Sequence, residues 1–176
     1  KFLAGSPLPT NEHTLIVTNG GGIGVMATDA CERHQINLYD DSETLKDLFS
    51  PVTPSFGSTK NPIDITGGAT SSAYDSALSV ALNTKEIGAS VALYCETAVF
   101  AASDLQKTLE AVYLKYTEQG KPVLFVTVGG EDIESCITAL SRKGVPLFGD
   151  VYEAIACLGS LYGYQRYLSA QTDSYE

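Results

Sequence analysis

The chain has 176 residues, enough for one domain of ordinary size with a sizeable core. Its hydrophobic fraction of 44%, charged fraction of 18% and formal net charge of −10 describe an acidic globular protein. That balance argues against nucleic acid and anionic membrane surfaces as partners, because both are held through Lys and Arg. It leaves small anions open, since backbone dipoles can hold an anion on an acidic protein.

The first residues, Lys1-Phe2-Leu3-Ala4-Gly5, carry no initiator Met and read like the middle of a longer chain. Residues 1–13 are assigned to a linker from a preceding domain, Pro-rich and polar from Gly5 to His13. From Thr14 the pattern alternates strand and helix. Thr14–Thr18 reads as a strand and 21–35 as a helix. Ile36–Tyr39 is a short strand. Ser42 starts a helix with a capping residue and an early acid, ended by Pro51 and Pro54. The Ile63/Ile65 alternation allows a short strand that closes on Gly67-Gly68. Residues 71–83 are helical, with Tyr74, Ala77, Leu78 and Ala81 on one face. The run 89–95 is a continuous apolar strand, as in a sheet covered on both faces. Ser103-Asp104 caps a helix to about Gln119, which Gly120 stops. Residues 122–128 form another buried strand. Gly129-Gly130 opens a helix to Gly144, 145–148 is a last strand, and Asp150 opens a final helix. Strands followed by crossover helices predict an α/β fold, a three-layer doubly wound parallel sheet, over 14–168, with 169–176 as a tail. Ligands of such sheets bind at the C-terminal ends of the strands. The loops there are 19–24, 64–70, 95–100 and 129–132.

The organising stretch is Thr18-Asn19-Gly20-Gly21-Gly22-Ile23-Gly24, where a β-branched strand turns into a helix. Glycines suit such a turn because they accept positive φ and let a ligand approach the backbone. The helix start directs unpaired N–H groups and a positive dipole end at that ligand, which predicts a site for phosphate or carboxylate. Gly22-Ile23-Gly24-Val25-Met26-Ala27 also fits the dinucleotide fingerprint, with Asp40 or Asp41 as the ribose acid, so a nucleotide- or flavin-binding module stands as the rival. Asn19 reads either as an N-cap or as a ligand contact. Asp64 reads as metal ligand, orienting group or loop brace, and Thr66 and Gly67 share its turn. Glu96, at a strand end, reads as acid or base or as a solvated loop acid. Cys31, Cys95, Cys136 and Cys157 are too widely spaced for a zinc site, and no metal site is assigned. Buried free thiols point to the cytoplasm. His13 and His34 belong to no triad.

Three stretches in one order, Asn19 to Asp29 (NGGGIGVMATD), Lys60 to Gly67 (KNPIDITG) and Leu93 to Val99 (LYCETAV), resemble the NDP-forming acyl-CoA synthetases. The type resembled is the α subunit of the ADP-forming acetyl-CoA synthetases, within the succinyl-CoA synthetase superfamily. The likeness covers nearly all of 10–168 and implies a flavodoxin-like CoA-ligase domain. It also implies a parent enzyme converting acyl-CoA, ADP and phosphate to acid, CoA and ATP, using CoA, ADP/ATP with Mg, and phosphate, through an acyl phosphate and a phosphohistidine. In that frame Gly20, Gly21, Gly22, Ile23 and Gly24 offer N–H groups to the phosphoryl group. Asn19 matches a substrate contact. Thr97, Ala98 and Val99 match a loop shaping the acyl or phosphate site. The Ser-His-Thr-Gly segment that carries the phosphohistidine, the CoA-binding domain and the ATP-grasp domain are not in this sequence. The resemblance therefore implies partners: the phosphohistidine-bearing and CoA-binding domains of the same chain, and an ATP-grasp domain or β subunit. It implies no tightly bound cofactor in this domain and no turnover by this domain alone.

Overall fold

The computed structural model describes residues 2–99 and 101–173, and the side chains of 172 and 173 are not described. A short helix α1 (Phe2–Gly5) precedes β1 (His13–Thr18), α2 (Gly21–Arg33), β2 (Asn37–Leu38), α3 (Ser42–Phe49), β3 (Ile63–Asp64) and α4 (Ser71–Asn83). Then come β4 (Ala89–Cys95), α5 (Ala102–Glu118), β5 (Val123–Val128), α6 (Glu131–Arg142), β6 (Leu147–Phe148) and α7 (Val151–Asp173). The pairings between these strands are parallel, in the order β2-β1-β4-β5-β6 with β3 also on β1, and an isolated antiparallel bridge joins Ser58 to Asp64.

The two short strands share one edge of β1. β2 pairs with its beginning (His13 with Asn37, Thr14 with Leu38) and β3 with its end (Val17 with Ile63, Thr18 with Asp64). On the other side β1 pairs with β4 over five residues, Thr14 to Thr18. The chain therefore leaves β1 to one side and returns on the other, which opens a crevice between the C-terminal ends of β1 and β4.

Alternation along the strands feeds two cores, one on each sheet face. Leu15, Val17, Ala92, Tyr94, Val123 and Phe125 pack with α3, α4, α5 and α6. Ile16, Val91, Leu93, Leu124 and Val126 pack with α2 and α7. This is the expected three-layer arrangement. Phe2 and Leu8 join the second core, and the Phe2 and Phe148 rings meet edge to face, so this segment is anchored at its two ends. The tail expected over 169–176 is helical through Asp173, because α7 continues past its buried stripe; 174–176 lie outside the described residues.

Two expected caps are replaced. Asp41, not Ser42, caps α3, its carboxylate accepting the N–H groups of Glu43 and Thr44 at 3.2 and 3.1 Å. α5 starts one residue before Ser103, at Ala102, and its N-cap Ala101 has no side chain able to bond the first turn.

Candidate functional site

The turn at the end of β1 is built by Thr18. Its hydroxyl accepts the Gly20 N–H at 3.0 Å and donates to the Gly20 carbonyl at 2.9 Å. Gly20 is the N-cap of α2 and supplies no side chain, and no acid lies in the first turn. Gly24 N–H donates back to Gly20 O at 3.2 Å. Of the five N–H groups expected to face an anion, those of Gly20 and Gly24 are thus used internally. Those of Gly21, Gly22 and Ile23 have no acceptor among the described residues. Gly21 and Gly22 are exposed, and Ile23 anchors the turn in the core below.

The glycines are not there for positive φ. Gly20 is extended at φ −140°, and the described glycines in the left-handed region are Gly120 and Gly144, at the ends of α5 and α6. Close approach explains two of the four. A Cβ on Gly20 would stand 3.1 Å from Cys95 Sγ, and one on Gly24 would stand 3.3 Å from Thr18 Cγ2. On Gly21 it would make an ordinary contact, 3.4 Å from Asp64 Oδ2. On Gly22 it would meet nothing within 4 Å. Neither geometry nor packing asks for glycine at Gly22, which leaves bare backbone at the mouth of the helix.

Three neighbouring loops are stitched to this turn. Asn19, only 3% exposed, binds β4 with both ends of its amide. Its Nδ2 donates to Cys95 O at 2.8 Å, and its Oδ1 accepts Cys95 N–H at 2.8 Å. The β3 loop is tied by Ile65 N–H, which donates to Thr18 O at 2.8 Å. There Asp64 Oδ1 accepts Thr66 N–H at 2.8 Å, while Oδ2 lies alongside Gly21. Asp64 therefore braces the loop. Thr66 sits at φ +70°, a strained conformation for a β-branched residue, and its hydroxyl is buried without a partner. Gly67 is exposed beside it.

The third loop follows β4. Glu96 Oε2 accepts Gly130 N–H at 2.6 Å, so the carboxylate considered as acid or base is engaged by the N-cap residue of α6. Gly129 has to be bare for this contact, since a Cβ there would stand 2.7 Å from Glu96 Oε2. Beyond Glu96, the Thr97 hydroxyl is buried without a partner, and Ala98 and Val99 are exposed. The structure thus gathers Asn19–Gly24, Asp64–Gly67, Glu96–Val99 and Gly130 at one sheet edge. The parts that sequence reasoning missed are the Thr18 hydroxyl and the Cys95 backbone. A Thr two residues before a glycine could have signalled the first.

Neither the thiol nor the phenol at this edge is activated as a nucleophile. Burial pushes the Cys95 thiol and the Tyr74 phenol above their ordinary ranges, and it pushes Cys31 on α2 up to about 12. Among the described residues no group of three His, Cys, Asp or Glu could hold a metal ion, and no helix is long and apolar enough to cross a membrane. All four cysteines are free thiols. Around the site, Val25, Met26, Phe56, Val99 and Val128 are large apolar side chains left exposed.

Residues 14–171 match the family described as the Ligase-CoA domain. Over 169 residues, 95% of this chain, the sequence is 40% identical to the α subunit of acetate–CoA ligase (ADP-forming) I from Pyrococcus furiosus, of which it spans 36%. A 4-hydroxybutyrate–CoA ligase (ADP-forming) from Nitrosopumilus maritimus is 26% identical over 88% of the chain and 22% of its own length. Among solved structures, the dinucleotide-forming acetyl-coenzyme A synthetase 1 of Ca. Korarchaeum cryptofilum, in complex with phosphate and ADP, superimposes with a TM-score of 0.87. It has 31% identity and covers 97% of this chain and 37% of that one. The chain spans little more than a third of these relatives at most. It belongs to the Ligase-CoA domain family.

Proposed function

We propose that this member of the Ligase-CoA domain family is one domain of an ADP-forming acyl-CoA synthetase, and that the N-terminus of α2 holds the phosphoryl group in transit. The whole reaction is acyl-CoA, ADP and phosphate to acid, CoA and ATP. CoA and the ADP/ATP–Mg chemistry fall to other domains or to a β subunit, in the cytoplasm. This domain supplies electrostatics and no bond-making group.

The carrying observation is the trio of N–H groups at Gly21, Gly22 and Ile23, without protein acceptors, beside a glycine that the fold itself does not need. A helix N-terminus favours an anion by roughly 0.3–1 kcal/mol on a surface and up to ~2 kcal/mol when partly buried. Donors fixed toward a developing charge in a closed site do more, about 2.7–4 kcal/mol for one well-placed donor. The site gains this when a partner covers it, and the exposed Val25, Met26, Phe56, Val99 and Val128 suit an apolar partner surface. The partner in this reading is the segment that carries the phosphohistidine, with Thr97, Ala98 and Val99 forming the facing wall. The Korarchaeum relative is a complex with phosphate and ADP, which agrees with the ligand class.

The dinucleotide rival fares worse. The end of β1 pairs with β3 rather than with β2, whose pairing stops at Leu38 opposite Thr14, so β3 takes the place beside the turn. The Asp41 carboxylate is also committed to α3. Thermal-shift titration separates the readings. Inorganic phosphate should raise the melting temperature, and NAD and FMN should not. Protection by NAD or FMN without protection by phosphate would replace this proposal with the rival.

A further inference from the structure

We propose that Asn19 is a positioning residue that splices the α2 turn onto the β4 loop, so that the two walls of the anion site move as one body; this rests on the proposed phosphate role of that site. β1 and β4 run side by side up to the pairing of Thr18 with Leu93. There the β1 main chain turns away into α2, while β4 continues to Cys95. The N–H and C=O of Cys95 would then face a missing strand, and unpaired backbone groups at a buried edge are costly.

The Asn19 side chain takes the missing strand's place. Its primary amide reproduces the donor and acceptor of a peptide unit, and both atoms meet Cys95 at 2.8 Å. The other side of the loop is held too. Glu96 N–H donates to Val128 O at 2.8 Å, and the Glu96 carboxylate takes Gly130 N–H at 2.6 Å. Residues 95 and 96 are therefore pinned from both neighbouring strands, and Thr97–Val99 leave from a fixed base. At the other end Asn19 is followed directly by Gly20, whose bareness lets Cys95 Sγ lie against the turn. With its amide engaged and 3% of its surface exposed, Asn19 acts on a ligand through Cys95 and Gly20 rather than by touching it.

Asn19→Asp tests this with a readout that a plain structural role would not move. The carboxylate has the shape of the amide but no donor, so it faces Cys95 O with a second acceptor. When protonated, its O–H donates there and restores the pair. The titratable neighbours are Cys95, Tyr74, Asp64 and Glu96. The first two stay neutral because burial raises them, and burial at this 3%-exposed position pushes the new carboxyl up as well.

The experiment uses the 176-residue chain. Hydrogen exchange is followed at the Cys95 amide, and inorganic sulfate, whose charge is constant over the range, is titrated at about pH 7.5 and about pH 5 against wild type at each pH. Near pH 7.5 the variant keeps an acceptor for the Cys95 N–H but sets a second acceptor against Cys95 O, and it is expected to lose about tenfold in sulfate affinity. Near pH 5 the affinity should return toward wild type. Asn19→Ala should lose both Cys95 protection and affinity at either pH, and it carries the test if Asn19→Asp does not fold at neutral pH. Unchanged Cys95 protection in Asn19→Ala overturns the splice. Lost affinity in Asn19→Ala with Cys95 protection kept assigns Asn19 a direct ligand contact and overturns the positioning role. Wild type that binds no sulfate or phosphate, with Cys95 protection still dependent on Asn19, refutes the phosphate role while leaving the splice as architecture only.

Discussion

Gly22→Val separates the fold from the function. The position is in the first turn of α2, exposed, and a Cβ there meets nothing within 4 Å. Helix propensity favours the change: Gly lies ~0.8–1.0 kcal/mol below Ala and Val at most ~0.7 kcal/mol below it, so the net is about 0.3 kcal/mol in favour of the variant. For a chain of this size that is about +1 °C in melting temperature, close to no change. A helical Cα–Cβ bond tilts toward the N-terminus, so the added side chain is expected to crowd an anion held at the Gly22 and Ile23 N–H groups. Losing one such donor to a developing phosphoryl charge costs about 10²–10³ in rate. The assay is single-turnover phosphoryl transfer from ATP in the complete synthetase carrying the change, with melting of the chain as the control. The expectation is an unchanged melt and a loss of about 10²-fold in transfer. A folded variant with full transfer would refute the phosphate role of the turn.

Other outcomes follow from local geometry. Thr66→Gly should raise the melting temperature, since relief of a left-handed β-branched residue is worth about 1–3 kcal/mol against ~0.5–1 kcal/mol of added chain entropy. A lower melting temperature would show that the Thr66 side chain, not backbone strain, decides stability there. Asp41→Ala should lower thermal stability near neutral pH. The Asp41 pKa is lowered, chiefly by the Thr44 N–H, so its stabilisation is present above the ordinary carboxylate pKa and fades as pH falls through the lowered one. The gap between wild type and variant should therefore close in acid; a gap constant with pH would mean that the cap does not act through its charge.

The order of strands and helices was legible because each buried strand is a continuous apolar run, as in 89–95 and 123–128, and each helix carries a striped face. Gly120 and Gly144 announced helix ends correctly. What local pattern could not supply was partnership across the chain. Asn19 and Cys95 are 76 positions apart, so their pairing leaves no local signal, and the N-cap of α2 is Gly20 rather than Asn19. The expected positive φ of the Gly-rich turn failed for a related reason: the turn is closed by the Thr18 hydroxyl, and Gly20 and Gly24 are small because of what packs on them. Glu96 looked free because its acceptor role depends on Gly130, brought close only by the β4–β5 pairing. The strand ends alone located the loops that the structure brings together, and the internal use of the Gly20 and Gly24 N–H groups was not legible.

The most direct measurement is an amide-resolved NMR titration of the chain with inorganic phosphate. Saturable shifts are expected, largest at the amides of Gly21, Gly22 and Ile23, with smaller ones at Thr97–Val99 and none of similar size at the first turns of α5 and α6, which carry acids. Saturable binding centred on another edge of the sheet, or no shift at Gly21–Ile23 at concentrations that saturate the complete enzyme, would contradict the phosphate role of the turn.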